Sequence, residues 1–339
     1  MSDTVHFTCE ALKDLMVAAL INSNVSETNA RSVAAALLAA EIDGRKGHGF
    51  SRIPSYAGQA RTGKVDGQAH AEIMKELPGS LMIDVKKGYF YPAFDLALEY
   101  VPEKARANGI AAVAFHNSHH CGVLGHHVEK LANEGFVALV LGNTPQAMAP
   151  WGGNKPLFGT QPLAFASPRE NGLPLVMDMA LTQVARGNIM RAQQDGKPIP
   201  EGWATDAEGN PTTDPEVALR EGVLLPVGGA KGAALGLMVE ILAAPLTGSS
   251  LSTEATSFFT TDGEPPAVGE FLIVIDPDGF AGRDQFLTRV EAILLSITEQ
   301  EGARLPGGRR AELRKTAAEN GLDVPANLVD EARALAGQA

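Results

Sequence analysis

Cysteine is nearly missing from this chain of 339 residues: Cys9 and Cys121 are the only two. Two thiols so far apart make no disulfide framework, which fits a reducing cytoplasm better than a secreted scaffold. Positive charge is also short, with 28 Lys and Arg against 40 Asp and Glu, a net −12 and a pI near 5.2. A general nucleic-acid binder needs a basic face, so no nucleic-acid partner is expected. No apolar run reaches the roughly 18 residues that cross a bilayer, so no membrane span is expected. The opening MSDTVHFTCE has neither a basic start nor an apolar core, and no signal peptide is expected. Gly-x-Gly-x-x-Gly is absent as well. Gly47-His48-Gly49 begins one, but Arg52 stands where the third glycine belongs, so an ordinary Rossmann dinucleotide site is not supported. An acidic, soluble, intracellular protein is expected, with 45% apolar residues and length enough for two domains.

Histidine, by contrast, is concentrated. Five of the eight fall in His116–His127, HNSHHCGVLGHH. The apolar run Ile110–Phe115 leads in as a predicted buried strand. Val123, Leu124, His127, Val128 and Leu131 then follow at helical spacing, and Phe136–Leu141 predicts a second strand. A polar, glycine-bearing loop between strand and helix presents backbone N–H groups to an anion such as a pyrophosphate. Three readings compete. His119, His120 and Cys121 could ligate zinc, although adjacent residues rarely converge on one ion and no matching Cys/His pair follows. The histidines could simply cap a helix and fill a loop. The favoured reading is a cofactor loop in which Gly122 and Gly125 let a ligand approach the backbone.

Upstream, Thr8 offers an N-cap for a helix over 10–22, and Ser26 opens a second helix that runs to about Asp43. Glycines 44, 47 and 49 then break the pattern around His48. If a helical turn forms there, His48 and Arg52, four apart, share a face. An arginine that holds a carboxylate beside an imidazole that moves a proton suits hydroxy-acid or oxo-acid chemistry; the bland alternative is a solvated surface pair. A hairpin over 71–85, a helix over 92–107 and strands at 163–166, 175–179 and 271–275 are predicted. Residues 142–162 carry too much Gly, Pro, Asn and Thr for regular structure, and such ordered loops tend to be functional. Pro198–Pro215 reads as a surface loop. Gly228–Gly232 opens an apolar helix over 233–246 but lacks the P-loop pattern.

Eight motifs fall in one order: GHGFSR (47–52), NSHHCG (117–122), APWGG (149–153), GTQP (159–162), DMA (178–180), IPEGWA (199–204), GGAKG (228–232) and LPGGRR (305–310). In this the chain resembles the type-2 malate/L-lactate dehydrogenases, NAD(P)-dependent oxidoreductases. That family also holds sulfolactate and ureidoglycolate dehydrogenases and the Δ1-piperideine/Δ1-pyrroline-2-carboxylate reductases. The resemblance implies an α/β, non-Rossmann fold with a mainly antiparallel central sheet. It implies a helical domain of residues 1–70 plus 285–339, an NAD(P)-binding α/β domain of 71–284, and a homodimer. It also implies roles. His48 matches the proton donor and acceptor, Arg52 the substrate-carboxylate ligand, and Thr160 a loop near substrate and nicotinamide. His120, Cys121, Gly122, Val123 and Leu124 match the loop that contacts the nicotinamide cofactor. Asp178, Met179 and Ala180 match a second cofactor segment; Gly308, Arg309 and Arg310 match a third near the adenosine end, with Lys231 a weaker candidate. No metal is implied.

Two positions depart from the family pattern. A serine usually precedes the catalytic histidine, where this chain has Gly47. The imine reductases carry an aspartate where this chain has Asn188. A Ser–His–Asp relay is therefore in doubt, although Glu41 or Asp43 could supply a carboxylate. Lacking one, His48 is expected to titrate near 6.5. Arg309 and Arg310 together suit a 2′-phosphate, so NADP is expected over NAD. The expected reaction moves a hydride between the cofactor and C2 of a small 2-oxo or 2-hydroxy acid. A cyclic imino acid is the alternative substrate; a zinc hydrolase and an inactive cofactor-binding protein are the alternatives of other classes.

Overall fold

The computed structural model describes residues 3–338. The chain begins with β1 (Thr4–Phe7), α1 (Cys9–Ile21) and α2 (Glu27–Ile42), followed by α3 (Ile53–Thr62). Thr8 and Ser26 cap the first two helices as their sequence predicts, accepting from Ala11 N–H and Asn29 N–H. Next come β2 (Glu72–Leu77), β3 (Ser80–Asp84), α4 (Phe90–Asn108), β4 (Ile110–Ser118), α5 (Leu124–Asn133) and β5 (Val137–Gly142). The hairpin β6 (Leu163–Ser167) and β7 (Leu175–Met179) leads to α6 (Arg186–Gln194). The stretch read as a surface loop contains short pairs: β8 (Ala204–Thr205) lies between β9 (Pro211–Thr212) and β10 (Val223–Leu224), with α7 (Pro215–Arg220) between the last two in sequence. The chain closes with α8 (Ala230–Ala243), β11 (Val268–Ile275), α9 (Arg283–Thr298), α10 (Arg310–Asn320), β12 (Leu322–Pro325) and α11 (Ala326–Leu335).

Seven strands form the central sheet in the order β2-β3-β4-β11-β5-β6-β7. Every neighbouring pair is antiparallel except β3 and β4, so the sheet is mixed. Alternation along the strands sends side chains to opposite faces. Ala138, Val140, Leu272 and Val274 join the core beneath α4 and α5, while Leu139, Leu141 and Phe271 pack against Val239 and Ala243 of α8. A separate core joins α1, α2 and α3 to Val324, Val329 and Ala332 near the other end of the chain. β1 pairs antiparallel with β12 and draws the two ends together. Between the helical layer and the sheet runs the chemistry-bearing chain: the turns after α2, the end of β4, and the loop before α10.

Candidate active site

The segment Gly44–Arg52 is not one helical turn. It forms two 3-10 turns, Lys46–His48 and Phe50–Arg52, separated at Gly49. Glu41 explains the break. Its buried carboxylate accepts the Phe50 N–H at 3.0 Å, and a Cβ on Gly49 would collide with it. His48 and Arg52 are therefore related by a bent backbone rather than a shared helical face. Arg52 Nε–H closes the bend by donating to Gly47 O at 2.7 Å.

Facing this bend is the end of β4. The His48 ring stacks on His120, with centroids 5.4 Å apart and planes 23° apart. His120 Nδ1 lies 2.6 Å from the Tyr56 hydroxyl, which lies 3.0 Å from the Tyr91 hydroxyl. Sequence reading missed both tyrosines. Tyr56 carried a signal, since it follows Arg52 by four residues at the head of α3; Tyr91 carried none.

No carboxylate reaches His48. Glu41 caps Phe50, and Asp43 is taken by Arg314 Nη2 at 2.7 Å and His126 Nε2 at 2.9 Å. Burial pushes the His48 imidazole down to about 4, and Arg52 and Arg45 push it the same way. The expected value near 6.5 is corrected: a missing anion did not leave the group neutral in its surroundings, because burial and two cations remained. Burial likewise holds His120 well below the usual histidine range. A Cβ on Gly47 would meet open space, and Asn188 is exposed on α6.

The two loop glycines also make room for protein neighbours. Gly122 has φ +67°, and a Cβ there would collide with the Tyr91 hydroxyl. A Cβ on Gly125 would press on Val176 and Asp178. Protein fills the space on their Cβ sides, while Gly125 also lines the adjoining cleft. The free donors expected at the start of α5 are also partly used, for Gly125 N–H donates to Asp178 Oδ2 at 3.0 Å. Burial nevertheless raises the Asp178 carboxyl. The Leu124 side chain and the Cys121 thiol are buried in the core, and burial pushes that thiol far up. Only Val123 of the Cys121–Leu124 run lines the adjoining cleft.

The five histidines of 116–127 diverge. His119 is buried without a hydrogen bond to either ring nitrogen; His126 pairs with Asp43; His127 packs on Phe90 and Phe94 and reaches Cys121 O at 2.9 Å. Among the described residues no three His, Cys, Asp or Glu side chains converge to hold a metal ion.

A cleft of about 730 Å³ is lined by Asp43–Arg45, Val123, Gly125, His126, Val176, Asp178, Arg304–Arg310 and Leu313. It brings Asp178, Gly308, Arg309 and Arg310 together in one cleft. The basic pair is split, however. Arg310 is ion-paired to Glu129 at 3.1 Å and donates to Pro174 O at 3.2 Å. Arg309 is exposed and, like Arg45 and Arg304, makes no ion pair among the described residues. Three uncommitted guanidinium groups around one cleft fit a polyphosphate such as that of a nicotinamide dinucleotide. Thr160 is locked in the neighbouring loop, its N–H donating to Thr144 Oγ1 at 2.9 Å and its carbonyl accepting from Leu181 N–H at 2.9 Å. That second bond ties it to the strand end carrying Met179 and Ala180. Lys231 is exposed in the first turn of α8 and is not among the cleft-lining residues.

Comparison with known proteins gives concordant matches. A sequence model described as malate/L-lactate dehydrogenase matches residues 7–333. A (2R)-3-sulfolactate dehydrogenase (NADP(+)) of Chromohalobacter salexigens is 49% identical over 323 residues, 95% of each chain. A Δ1-pyrroline-2-carboxylate/Δ1-piperideine-2-carboxylate reductase of Pseudomonas aeruginosa is 41% identical, covering 98% of this chain and 99% of that one. Among solved structures, the Δ1-piperideine-2-carboxylate reductase of Pseudomonas syringae superposes with a TM-score of 0.93 at 35% identity. That match covers 98% of this chain and all of the other.

Proposed function

The chain belongs to the malate/L-lactate dehydrogenase family and is an oxidoreductase, and within that family we propose an NADP-dependent enzyme acting at C2 of a small 2-oxo or 2-hydroxy acid of the sulfolactate, malate or lactate type. One observation carries this reading: the His48 ring, stacked on His120, lies in the same bend as Arg52, whose terminal amino groups make no hydrogen bond among the described residues. A bound nicotinamide supplies or accepts the hydride. His48 takes the proton from the C2 hydroxyl in oxidation and returns it to the C2 oxygen in reduction. Arg52 pairs with the substrate carboxylate and so fixes C2 relative to His48. That pairing also offsets the positive charge that depresses His48, so substrate binding moves the imidazole toward the protonated form that reduction needs.

His120 to Leu124, Thr160, Asp178 to Ala180, and Gly308 to Arg310 remain the segments we assign to the cofactor and the nicotinamide end of the substrate, with Arg309 the better placed of the basic pair. Lys231 stays the weakest of these assignments. A cyclic imino acid is the second reading, supported by the 41% identical reductase and by the superposition at a TM-score of 0.93. His48 would then protonate the ring nitrogen. The test is a panel assay following NADPH and NADH absorbance with 3-sulfopyruvate, oxaloacetate, pyruvate and Δ1-piperideine-2-carboxylate. Highest kcat/KM with an oxo acid and NADPH is expected; highest kcat/KM with the imine would overturn the first reading.

We further read the fold as the family's non-Rossmann arrangement, with residues 1–70 and 285–339 as the helical domain and 71–284 as the NAD(P)-binding domain. Pairing of β1 with β12 supports the join of the two ends. Helix α9 bridges the division, since its Glu291 pairs bidentately with Arg169 beyond β6. A homodimer is supported by α8, on which Leu235, Leu237, Met238 and Ile241 are exposed. A cytoplasmic location is supported by two free thiols, Cys9 and Cys121. Among the described residues no helix is long and apolar enough to cross a membrane.

A further inference from the structure

Arg52 is held on two sides. Its Nε–H donates to Gly47 O at 2.7 Å, and its guanidinium lies over the ring of Phe259, 4.9 Å from the centroid. Phe259 belongs to a loop outside every helix and strand, yet that loop is firmly gripped. Gln59 Nε2 donates to the carbonyls of Phe258 and Thr260 at 3.0 and 2.9 Å, and the Thr62 hydroxyl donates to Thr261 O at 2.5 Å. Lys64, only 2% exposed, directs its ammonium at Thr260 O (3.2 Å), Thr260 Oγ1 (2.9 Å) and Asp262 O (2.8 Å). Burying an ammonium is costly unless its donors are satisfied, and here all of them go to one loop. The same loop lays Phe258 against His120, with centroids 5.2 Å apart, and His120 lies against His48. Loop 258–262 thus touches both halves of the site at once.

Phe259 is 48% exposed, so its ring does not serve as core filling. An aromatic face beneath a guanidinium attracts the cation and fixes the plane, while leaving the edge donors to a carboxylate. We propose that Phe259 is a positioning residue for substrate: it sets the plane of Arg52 so that the guanidinium meets the substrate carboxylate edge-on, in register with His48. Gln59 and Lys64 hold Phe259 in place. This rests on the reading of Arg52 as the carboxylate ligand.

The experiment compares wild type, Phe259→Leu, Phe259→Tyr, Arg52→Met and the Arg52→Met/Phe259→Leu double variant. Each is assayed with NADPH and the fastest substrate among pyruvate, oxaloacetate, 3-sulfopyruvate and Δ1-piperideine-2-carboxylate. Phe259→Leu should raise KM for that substrate by about three- to tenfold, change kcat less, and leave the KM for NADPH where it was. Phe259→Tyr should restore the wild-type value, and in the Arg52→Met background Phe259→Leu should add nothing. If Arg52→Met raises KM and Phe259→Leu does not, or if the two effects simply add, this inference is overturned while the carboxylate role of Arg52 stands. If Arg52→Met leaves KM unchanged, that role fails and the inference falls with it.

Discussion

The imidazole of His48 lies on that of His120, with 5.4 Å between centroids, and no carboxylate touches either ring. Of these two stacked imidazoles beside Arg52, His120 is buried and His48 half-buried, and desolvation favours the neutral form of each. The free enzyme therefore offers a ready base and withholds the acid. Because the folded pKa of His48 is depressed to about 4, the base is present above that pH and disappears below it. For hydroxy-acid oxidation, kcat/KM should stay level down to about pH 5 and fall with an inflection near 4. The inflection in kcat should lie higher, because a bound carboxylate offsets Arg52. A kcat/KM inflection at 6.5 or above would contradict this account of His48.

Replacing His48 by Ala should lower turnover by about 10²–10⁴-fold, the usual worth of a positioned acid or base. The double change Gly47→Ser/Asn188→Asp should leave the pH profile of wild type in place, since a side chain at 47 enters open space and residue 188 is exposed on α6. An upward move of the inflection would show that a relay can form after all. Unchanged turnover of His48→Ala would remove that residue from the mechanism.

Arg52→Met should cost about 2–4 kcal/mol in transition-state binding with every carboxylate substrate. Cofactor affinity, measured by NADPH titration, should not change. Normal kcat/KM in this variant would contradict the role given to the GHGFSR segment.

Arg309→Ala should weaken NADPH binding by about tenfold and NADH binding little, the difference a phosphate contact makes. The pairing of Arg310 with Glu129 predicts a different outcome for Arg310→Ala, namely loss of stability rather than of cofactor discrimination. Equal losses for NADPH and NADH in Arg309→Ala would move the 2′-phosphate contact elsewhere.

Arg314 joins α10 to both α2 and α5, donating to Asp43 and to Glu129 at 2.7–2.9 Å. Burial alone would raise the Asp43 carboxyl, but hydrogen bonds from His126 and Arg314 hold it well below the carboxylate range. Arg314→Met leaves Asp43 with His126 alone and Glu129 with Arg310 alone, and should destabilise the protein by about 2–3 kcal/mol in denaturant unfolding. The sign with pH follows from the depressed value. The Asp43 contribution is complete above its unfolded pKa, about 3.9, and is lost as pH falls toward the folded one, so the gap between wild type and variant should narrow in acid. A gap that widens in acid would contradict this assignment.

Periodicity and capping are local, and they made most elements legible: the helices after Thr8 and Ser26, the 72–84 hairpin, and β4, α5 and β5 follow from residues within a few positions of each other. The motifs likewise put His48 and Arg52 in one segment, and the histidine-rich loop at the end of β4. Which neighbour fills a glycine's open side is not local. Gly122 meets Tyr91, and Gly125 meets Asp178 from another strand, only after the sheet's register is set. Phe258 reaches Gln59 across 199 residues of sequence, and nothing near either residue announces the other. The charge state of His48 was lost to sequence for the same reason. The residues next to it show which ions are absent, but burial and the cations folded around it set its pKa. Those are collective properties of packing, and no short stretch of chain contains them.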